Sequence, residues 1–331
     1  MIQLAGPTER APARRLGSIR RTTSLDLLPG DDGALVMSGR ARDLVTRRDG
    51  SAAVVASGLL SLHIGPDRRV AKASLHPYAD RASALVGRSV AAGFRTGVYR
   101  VLPEEYDAGS PLHLLLDDVA GGVVISGFTR RIAPDPAAGA ERATRSPVAR
   151  RLDVCIGWAR DSDAARRLER TGIPPAPDWT PPAPDLYADD PVGSHTTRPL
   201  PIGGMRRARR LDVRRDDSGP STLHAEVAFR DTFVDVHGEA RILHEYSARM
   251  TSRDGRVVSA LGITPHVLPH RECPAGAASG SRAIGHPLTA LRQWVSLEFF
   301  GPSTCTHLND LLRGLSDVPT LDTTLTRRLH T

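Results

Sequence analysis

The chain has 331 residues, of which 40% are hydrophobic and only 4% aromatic, and 44 Lys and Arg against 37 Asp and Glu give a formal charge of +7. This composition excludes a disordered tail, a collagen and a disulfide-rich mini-protein. The length corresponds to about two domains of roughly 150 residues, each long enough to bury its own core.

The first 130 residues begin with strand patterns and end with helical ones. Residues Ser57 to Ile64 alternate between apolar and polar side chains, and turn signals stand at Asp32-Gly33 and Asp49-Gly50. Phe94 and Val101 have helical spacing. We expect about four strands followed by helices.

The middle of the chain differs in composition. Residues 151–158 have strand character and residues 161–170 form a short charged helix candidate. Nine prolines lie between Thr171 and Pro201, and because proline cannot continue a helix or a central strand, this segment is expected to be an extended surface tether.

The last part of the chain repeats the order of the first. Ala240, Ile242, His244 and Tyr246 alternate with other residues as in a strand, and Asp254-Gly255 is a hairpin signal. Two sets of apolar residues then follow at helical spacing: Leu288, Leu291, Val295 and Phe299, and Leu308, Leu311, Leu312 and Leu315.

Four landmarks occur twice in one order, which predicts a tandem duplication. They are Leu25-Asp26 after Arg20-Arg21 and Leu211-Asp212 after Arg209-Arg210, Arg42-Asp43 and Arg230-Asp231, Asp67 to Val70 and Asp254 to Val257, and Leu112-His113-Leu114 and Thr306-His307-Leu308. The predicted fold is α+β, with two copies of an antiparallel β-meander followed by helices, packed as a pseudo-two-fold intramolecular dimer. The predicted boundaries are an N-terminal extension at 1–19, a first repeat at 20–130, a connector at 131–206, a second repeat at 207–320 and a C-terminal tail at 321–331.

Three motifs of the second copy carry a family resemblance. They are Arg209-Arg210-Leu211-Asp212, Cys273-Pro274 and Cys305-Thr306-His307-Leu308. The second copy resembles the bacterial family catalogued as domain of unknown function 2889, which brings no assigned reaction. The first copy resembles a degenerate member, because Pro111-Leu112-His113-Leu114 and Asp80-Arg81 stand where the cysteine motifs would be. Asp153-Val154-Cys155 resembles a segment that often follows the late box in members of the family.

The charged, aromatic and apolar residues indicate which classes of partner the protein can have. Lys72 is the only lysine, and the arginines form scattered pairs typical of a solvated surface. With 6 Phe, 5 Tyr and 3 Trp there is no stacking pattern, so we expect no specific nucleic-acid partner. No segment has the apolar core of a signal peptide. None has the run of about 18 apolar residues that a membrane span requires. The sequence predicts a soluble cytoplasmic protein without a membrane partner, and leaves its oligomeric state open.

The candidate catalytic residues are Cys305, His307 and Asp231. A Cys-His dyad requires the imidazole within hydrogen-bond reach of the thiolate, which a spacing of two residues allows only in a turn or extended segment. A structural role for His307 at a helix start remains open beside the catalytic one. Asp231 follows an arginine at the end of a strand-like run, as Asp43 does, and a turn or local ion pair would explain it equally well.

The three cysteines suggest a second hypothesis. All of them, Cys155, Cys273 and Cys305, lie in the resemblance motifs, and with His307 they would match a tetrahedral zinc shell. The alternative is that they are separate buried cysteines packed as small hydrophobes. Their odd number and wide spacing are a poor disulfide framework and fit a reducing compartment. Zinc is the one cofactor that the sequence suggests.

Two function classes therefore stay open. The first is a small-molecule enzyme with its site on the second copy or between the copies, and the second is a noncatalytic ligand-binding or scaffold protein. No nucleophile-elbow pentad, Walker motif or dinucleotide fingerprint is present in the sequence. A pocket lined by the polar residues of the second copy would favour the enzyme.

Overall fold

A single antiparallel sheet of eight strands forms the centre of the protein in the computed structural model, which describes residues 3–30, 33–91, 93–132, 152–216, 219 and 221–329. The strand order is β4-β3-β2-β1-β5-β6-β7-β8. The predicted combination of antiparallel strands and helices is confirmed. The strands are β1 Ser18–Pro29, β2 Leu35–Thr46, β3 Ala52–Ile64, β4 Val70–His76, β5 Met205–Arg215, β6 Leu223–Val234, β7 Ala240–Ser252 and β8 Ala260–Val267.

The helices follow each set of four strands. The α-helices are α1 Phe94–Val101, α2 Pro103–Asp107, α3 Pro111–Ile132, α4 Asp163–Thr171, α5 Leu291–Glu298, α6 Thr306–Gly314 and α7 Val318–Leu329. Short 3-10 helices lie at Ala79–Leu85, Ile156–Trp158, Pro191–Gly193, Cys273–Ala283, Leu288–Ala290, Gly301–Ser303 and Leu315–Asp317. None of the described helices has both the length and the hydrophobicity needed to cross a membrane.

Two segments differ from the sequence-based expectation. Residues 152–158 of the predicted strand at 151–158 form a turn with a 3-10 helix at Ile156–Trp158, because the Asp153 amide donates to the carbonyl of Trp158 at 2.8 Å and folds the segment back on itself. The expected tail at 321–331 continues α7 as far as Leu329, since Leu321 and Leu325 are buried in the core. Residues 133–151 of the predicted connector lie outside the described residues.

The junction between β1 and β5 joins the first half, residues 18–132, to the second half, residues 205–329. These strands pair antiparallel from Ser18 opposite Arg214 to Leu27 opposite Met205. Two ion pairs cross the junction on one face: Arg20 contacts Asp212 at 2.5 Å, and Arg206 contacts Asp26 at 2.6 Å. The four strands of each half therefore continue into one sheet.

Each half has an apolar cluster between the sheet and its helices, and each cluster takes residues from the other half. The cluster of the second half includes Ile19 and Val45 of the first half. The cluster of the first half includes Met205, Phe233 and Leu243 of the second half. The two cores are therefore completed only when both halves are present.

The opposite face of the sheet is covered by residues 3–17, whose Pro12 carbonyl accepts from Arg20 at 2.7 Å, and by the proline-rich segment. This segment also pairs with the edge of β7: the amide of Ile242 donates to the carbonyl of Pro181 at 2.8 Å, and the amide of Ala183 donates to the carbonyl of Ala240 at 2.9 Å. His195 hydrogen-bonds the hydroxyl of Ser24 at 2.7 Å. The segment is extended as predicted, but it packs against the sheet as a layer and is not a free tether.

Gly58 in β3 lies where α3 approaches the sheet most closely. A Cβ atom at this position would lie 2.9 Å from both Cα and Cβ of Leu112. We expect Gly58→Ala to lower the free energy of unfolding by about 1–3 kcal/mol, because the backbone of α3 must move away. Urea denaturation measures this change.

Gly262→Ala is the control for this prediction. Gly262 lies in β8, and a Cβ atom there would meet nothing within 4 Å. Equal stabilities of the two variants would contradict the close approach of α3 to β3.

Candidate functional site

Two buried arginines occupy the helix-facing side of the central strands. Arg21 of β1 donates from Nε to Asp43 at 2.7 Å and from Nη1 to Asp317 at 2.8 Å. Arg207 of β5 donates from Nε to Asp231 at 2.9 Å and from Nη1 to Asp310 at 2.9 Å. Buried arginines and aspartates that pair with each other in this way can remain ionised in the core.

Helix α3 of the first half supplies carboxylates to arginines of the second half. Asp118 accepts from Arg209 Nε at 2.7 Å, and Asp117 accepts from Arg313 at 3.0 Å. Burial alone would raise the pKa of Asp117, but the charge of Arg313 outweighs it and holds that pKa well below the usual range. The interface between the halves is therefore an ion-pair network.

Asp231, His244 and His307 form a cluster beside Arg207, which we call the His-Asp cluster. Their ligand-type atoms, one from each residue, all lie within 4.8 Å of one another. Asp231 lies on β6 directly opposite His244 on β7, and His307 lies in the first turn of α6. His244 Nδ1 is 3.1 Å and His307 Nε2 is 3.9 Å from the same oxygen, Oδ2 of Asp231.

The environment of the His-Asp cluster sets its protonation. Burial alone would raise the pKa of Asp231, but the charge of Arg207 and the hydrogen bond from His244 lower it to about 2. Burial lowers the pKa of His244 and places that of His307 well below its usual range. The two rings are stacked with centroids 3.6 Å apart. At neutral pH the cluster is therefore one carboxylate beside two neutral imidazoles.

Cys305 extends the cluster on the other side of His307. Its Sγ lies 3.9 Å from His307 Nδ1, so His307 stands between Cys305 and Asp231. The thiol is buried, and burial raises its pKa. The three predicted catalytic residues are thus neighbours, although the thiol form of Cys305 is favoured over the nucleophilic thiolate.

The three cysteines are buried free thiols around one corner of the second half. The amide of Ile156 donates to the carbonyl of Thr304 at 2.9 Å, which brings Cys155 beside Cys305. Cys273 packs closely on Gly157, where a Cβ atom would lie 2.5 Å from its sulfur. Burial raises the pKa of Cys155 to about 12 and that of Cys273 well above its usual value.

The predicted set of three thiols and His307 is not the group with metal-ligand spacing. Among the described residues, that spacing is found for the His-Asp cluster. His307 belongs to both sets, and it is the residue that joins the corner of thiols to the cluster.

The first half has a different residue at the position of His244. Asp43 lies opposite Ala56, just before a register shift between Asp43 and Leu44. Asp231 lies opposite His244, just before a register shift between Asp231 and Thr232. Arg21 and Arg207 pair with these two aspartates in the same way. The difference is His244, which lies opposite Asp231 where Ala56 lies opposite Asp43.

Sequence reasoning selected Asp231 and His307 but missed His244 and Arg207. The signal for His244 was its place among apolar residues in the alternating run of β7. The signal for Arg207 was weaker, because an arginine pair in a strand is equally compatible with a solvated face. Its burial follows only from the carboxylates that α3 and α6 bring to it.

The His-Asp cluster reaches the surface through one member. The side chain of His307 is 16% exposed, whereas that of Asp231 is 0% exposed. Two small clefts lie elsewhere in the described part of the chain, one around His270 and Glu272 and one around Ser24 and Arg198. A small molecule would therefore meet His307 first.

Comparison with known proteins found one match. No curated protein and no solved structure matches the chain. Residues 205–320 match the model of the family described as protein of unknown function (DUF2889), which supports this family for the second half of the chain.

Proposed function

We propose that the protein is a cytoplasmic small-molecule enzyme whose reaction centre is the His-Asp cluster of the second half. The observation that carries this proposal is a fully buried carboxylate, Asp231, whose Oδ2 lies 3.1 Å from His244 Nδ1 and 3.9 Å from His307 Nε2. Such groups are costly to bury, and active sites are where proteins commonly retain them. The equivalent register position of the first half holds Ala56 and has no comparable pair of histidines.

The arrangement supports proton transfer. A neutral imidazole accepts a proton, and a carboxylate beside it stabilises the imidazolium that results. His307, as the exposed member, is the catalytic base in this proposal. Asp231 and His244 are positioning residues, because they reach the substrate only through His307. Cys305, 3.9 Å from His307 Nδ1, holds the ring in place.

We also propose that the two halves arose by duplication and are related by a pseudo-two-fold axis between β1 and β5. The crossed ion pairs Arg20–Asp212 and Arg206–Asp26 and the two register shifts after Asp43 and Asp231 support this relation. In this alignment Arg20-Arg21 corresponds to Arg206-Arg207 and not to Arg209-Arg210. The first half would then be the degenerate copy, with Ala56 in place of His244.

The alternative is a noncatalytic ligand-binding or scaffold protein. The observation that favours it is the burial of the cluster, which would then act only to hold β6, β7 and α6 together. Arginines that are neighbours in the sequence likewise form ion pairs within the protein, including Arg20, Arg21, Arg206 and Arg207. The absence of a specific nucleic-acid partner remains a prediction.

An experiment with a mixture of metabolites separates the two classes. Purified protein is incubated with a protein-free cell extract, and consumed or produced compounds are followed by mass spectrometry over time. We expect the wild type to change at least one compound, and His307→Gln to slow that change by about a hundredfold or more, the usual contribution of a general base.

His113→Gln is the matched control, because His113 is a buried histidine at the start of α3 in the first half. It should leave the turnover unchanged. If no compound changes with the wild type, and His307→Gln lowers the melting temperature as much as His113→Gln does, the noncatalytic alternative replaces the enzyme.

A further inference from the structure

We propose that Asp231, His244 and His307 bind one divalent transition-metal ion of the zinc or ferrous-iron class. The proposal deepens the proposed function and rests on it, with one role changed: an imidazole that binds an ion through Nε2 cannot accept a proton there, so water on the ion would replace His307 as the base. Two imidazoles and one carboxylate are a ligand set that catalytic zinc and non-haem iron sites share. Three protein ligands leave at least one coordination position for water or substrate.

The spacing of the ligand atoms fits one ion. Metal–ligand bonds of about 2.0–2.2 Å at tetrahedral or octahedral angles place two ligand atoms about 2.8–3.6 Å apart. His244 Nδ1 is 3.1 Å from Asp231 Oδ2, and His307 Nε2 is 3.9 Å from that oxygen. Binding therefore requires His307 Nε2 to move at least about 0.3 Å closer to Asp231, and the two imidazole nitrogens, which lie within 4.8 Å of each other, to take up the same spacing.

The surroundings orient the ligands. Arg207 donates to both oxygens of Asp231, at 2.9 and 3.2 Å, and fixes the plane of the carboxylate. The other ring nitrogen of His307, Nδ1, faces Sγ of Cys305 at 3.9 Å. Partners of this kind, which hold the far side of a ligand, are typical of metal sites.

The charges around Asp231 balance one another before an ion binds. Arg207 brings one positive charge next to Asp231, but it is shared with Asp118 and Asp310, whose carboxylates lie 3.4 and 2.9 Å from its Nη1. Arg209 and Arg313 pair in turn with Asp118 and Asp117. Arg95 also pairs with Asp117 and Asp310, so the four arginines are balanced by four aspartates only when Asp231 is counted, and an ion would be held by its ligand bonds and not by excess negative charge.

The first test is metal analysis of the full-length protein, purified without a histidine tag or chelator. Apo protein is then titrated with Co²⁺, whose visible absorption bands report ligand number and type. We expect about one equivalent of bound metal and bands without the intense sulfur-to-metal charge-transfer absorption of thiolate ligands.

Three variants locate the ion. His244→Ala, which introduces the residue that the first half carries at Ala56, and Asp231→Asn should each reduce bound metal to below about a tenth of an equivalent. His113→Ala, the control in the first half, should keep about one equivalent. Circular dichroism melting checks that each variant folds, and His307→Ala, which removes no partner of an arginine, keeps the test decisive if His244→Ala or Asp231→Asn does not fold.

The outcomes are separable from those of the metabolite experiment. Less than about a tenth of an equivalent in the wild type, together with no Co²⁺ spectrum, overturns the metal proposal. Metal retained in His244→Ala but lost in Cys273→Ser overturns it in favour of the site formed by the thiols and His307. Turnover of a metabolite without bound metal would leave the proposed function standing, and bound metal without turnover would leave only the metal site.

Discussion

Neither half of the chain is expected to fold when it is produced without the other. Separation exposes the full edge of β1 and of β5, which pair over ten positions from Ser18 to Leu27. It also leaves Asp117 and Asp118 of α3 without Arg313 and Arg209. An unpaired strand edge and charges without their partners both lower the free energy of unfolding, which is only about 5–15 kcal/mol in a typical domain.

The test uses two chains, residues 1–140 and 141–331, divided within the segment that links α3 to the connector. Each chain alone should show no cooperative unfolding transition by circular dichroism, and co-expression should restore a one-to-one complex. A monomeric second chain that unfolds cooperatively by itself would show that the ion pairs between the halves are dispensable. The control for the break in the backbone is the uncut full-length protein that carries a protease site inserted after residue 140.

Replacement of Asp317 by Asn should be among the most destabilising single changes in the protein. Its side chain is 0% exposed and pairs with Arg21 at 2.8 Å and with Arg292. Loss of this charge leaves two buried guanidinium groups with too few partners, and breaking a buried pair in this way costs about 3–5 kcal/mol. Urea denaturation measures the change in the free energy of unfolding.

Asp322→Asn is the control, since Asp322 also pairs with an arginine, but Arg215 in that pair is 41% exposed. A pair of this kind contributes at most about 1 kcal/mol. Similar losses from the two variants would mean that the central network is hydrated, and that the burial of Arg21 does not decide its energetic role.

The candidate site shows how far residue type alone can lead. Cys305 and His307 are candidates because they belong to the late box of the family resemblance, and Asp231 because it repeats Asp43; the structure places His307 between the other two. His244 was missed because nothing in the local sequence distinguishes a histidine facing a carboxylate from one facing apolar neighbours. That difference is set by the register of β6 against β7.

The arginine pairs show the opposite case. Their scattered distribution suggested a solvated surface, yet Arg20, Arg21 and Arg207 are among the largest fully buried side chains. In a strand, neighbouring residues point to opposite faces. Arg20 therefore faces the proline-rich layer and Arg21 faces the helices, and both faces of the central strands are covered.

Outside residues 151–158, the sequence by itself determined the types of the main elements and their order, because alternation, turn glycines and helical spacing act over a few residues. It thereby predicted the antiparallel strands, the helices after them and the Cys305-Thr306-His307-Leu308 segment at the start of α6. Only the tertiary structure decided that β1 pairs with β5, that the proline-rich segment covers the sheet, and that His244 and Arg207 join Asp231. These features depend on contacts between residues far apart in the chain. Local patterns allow several arrangements, and the pairing of strand edges and the neutralisation of buried charges select one of them.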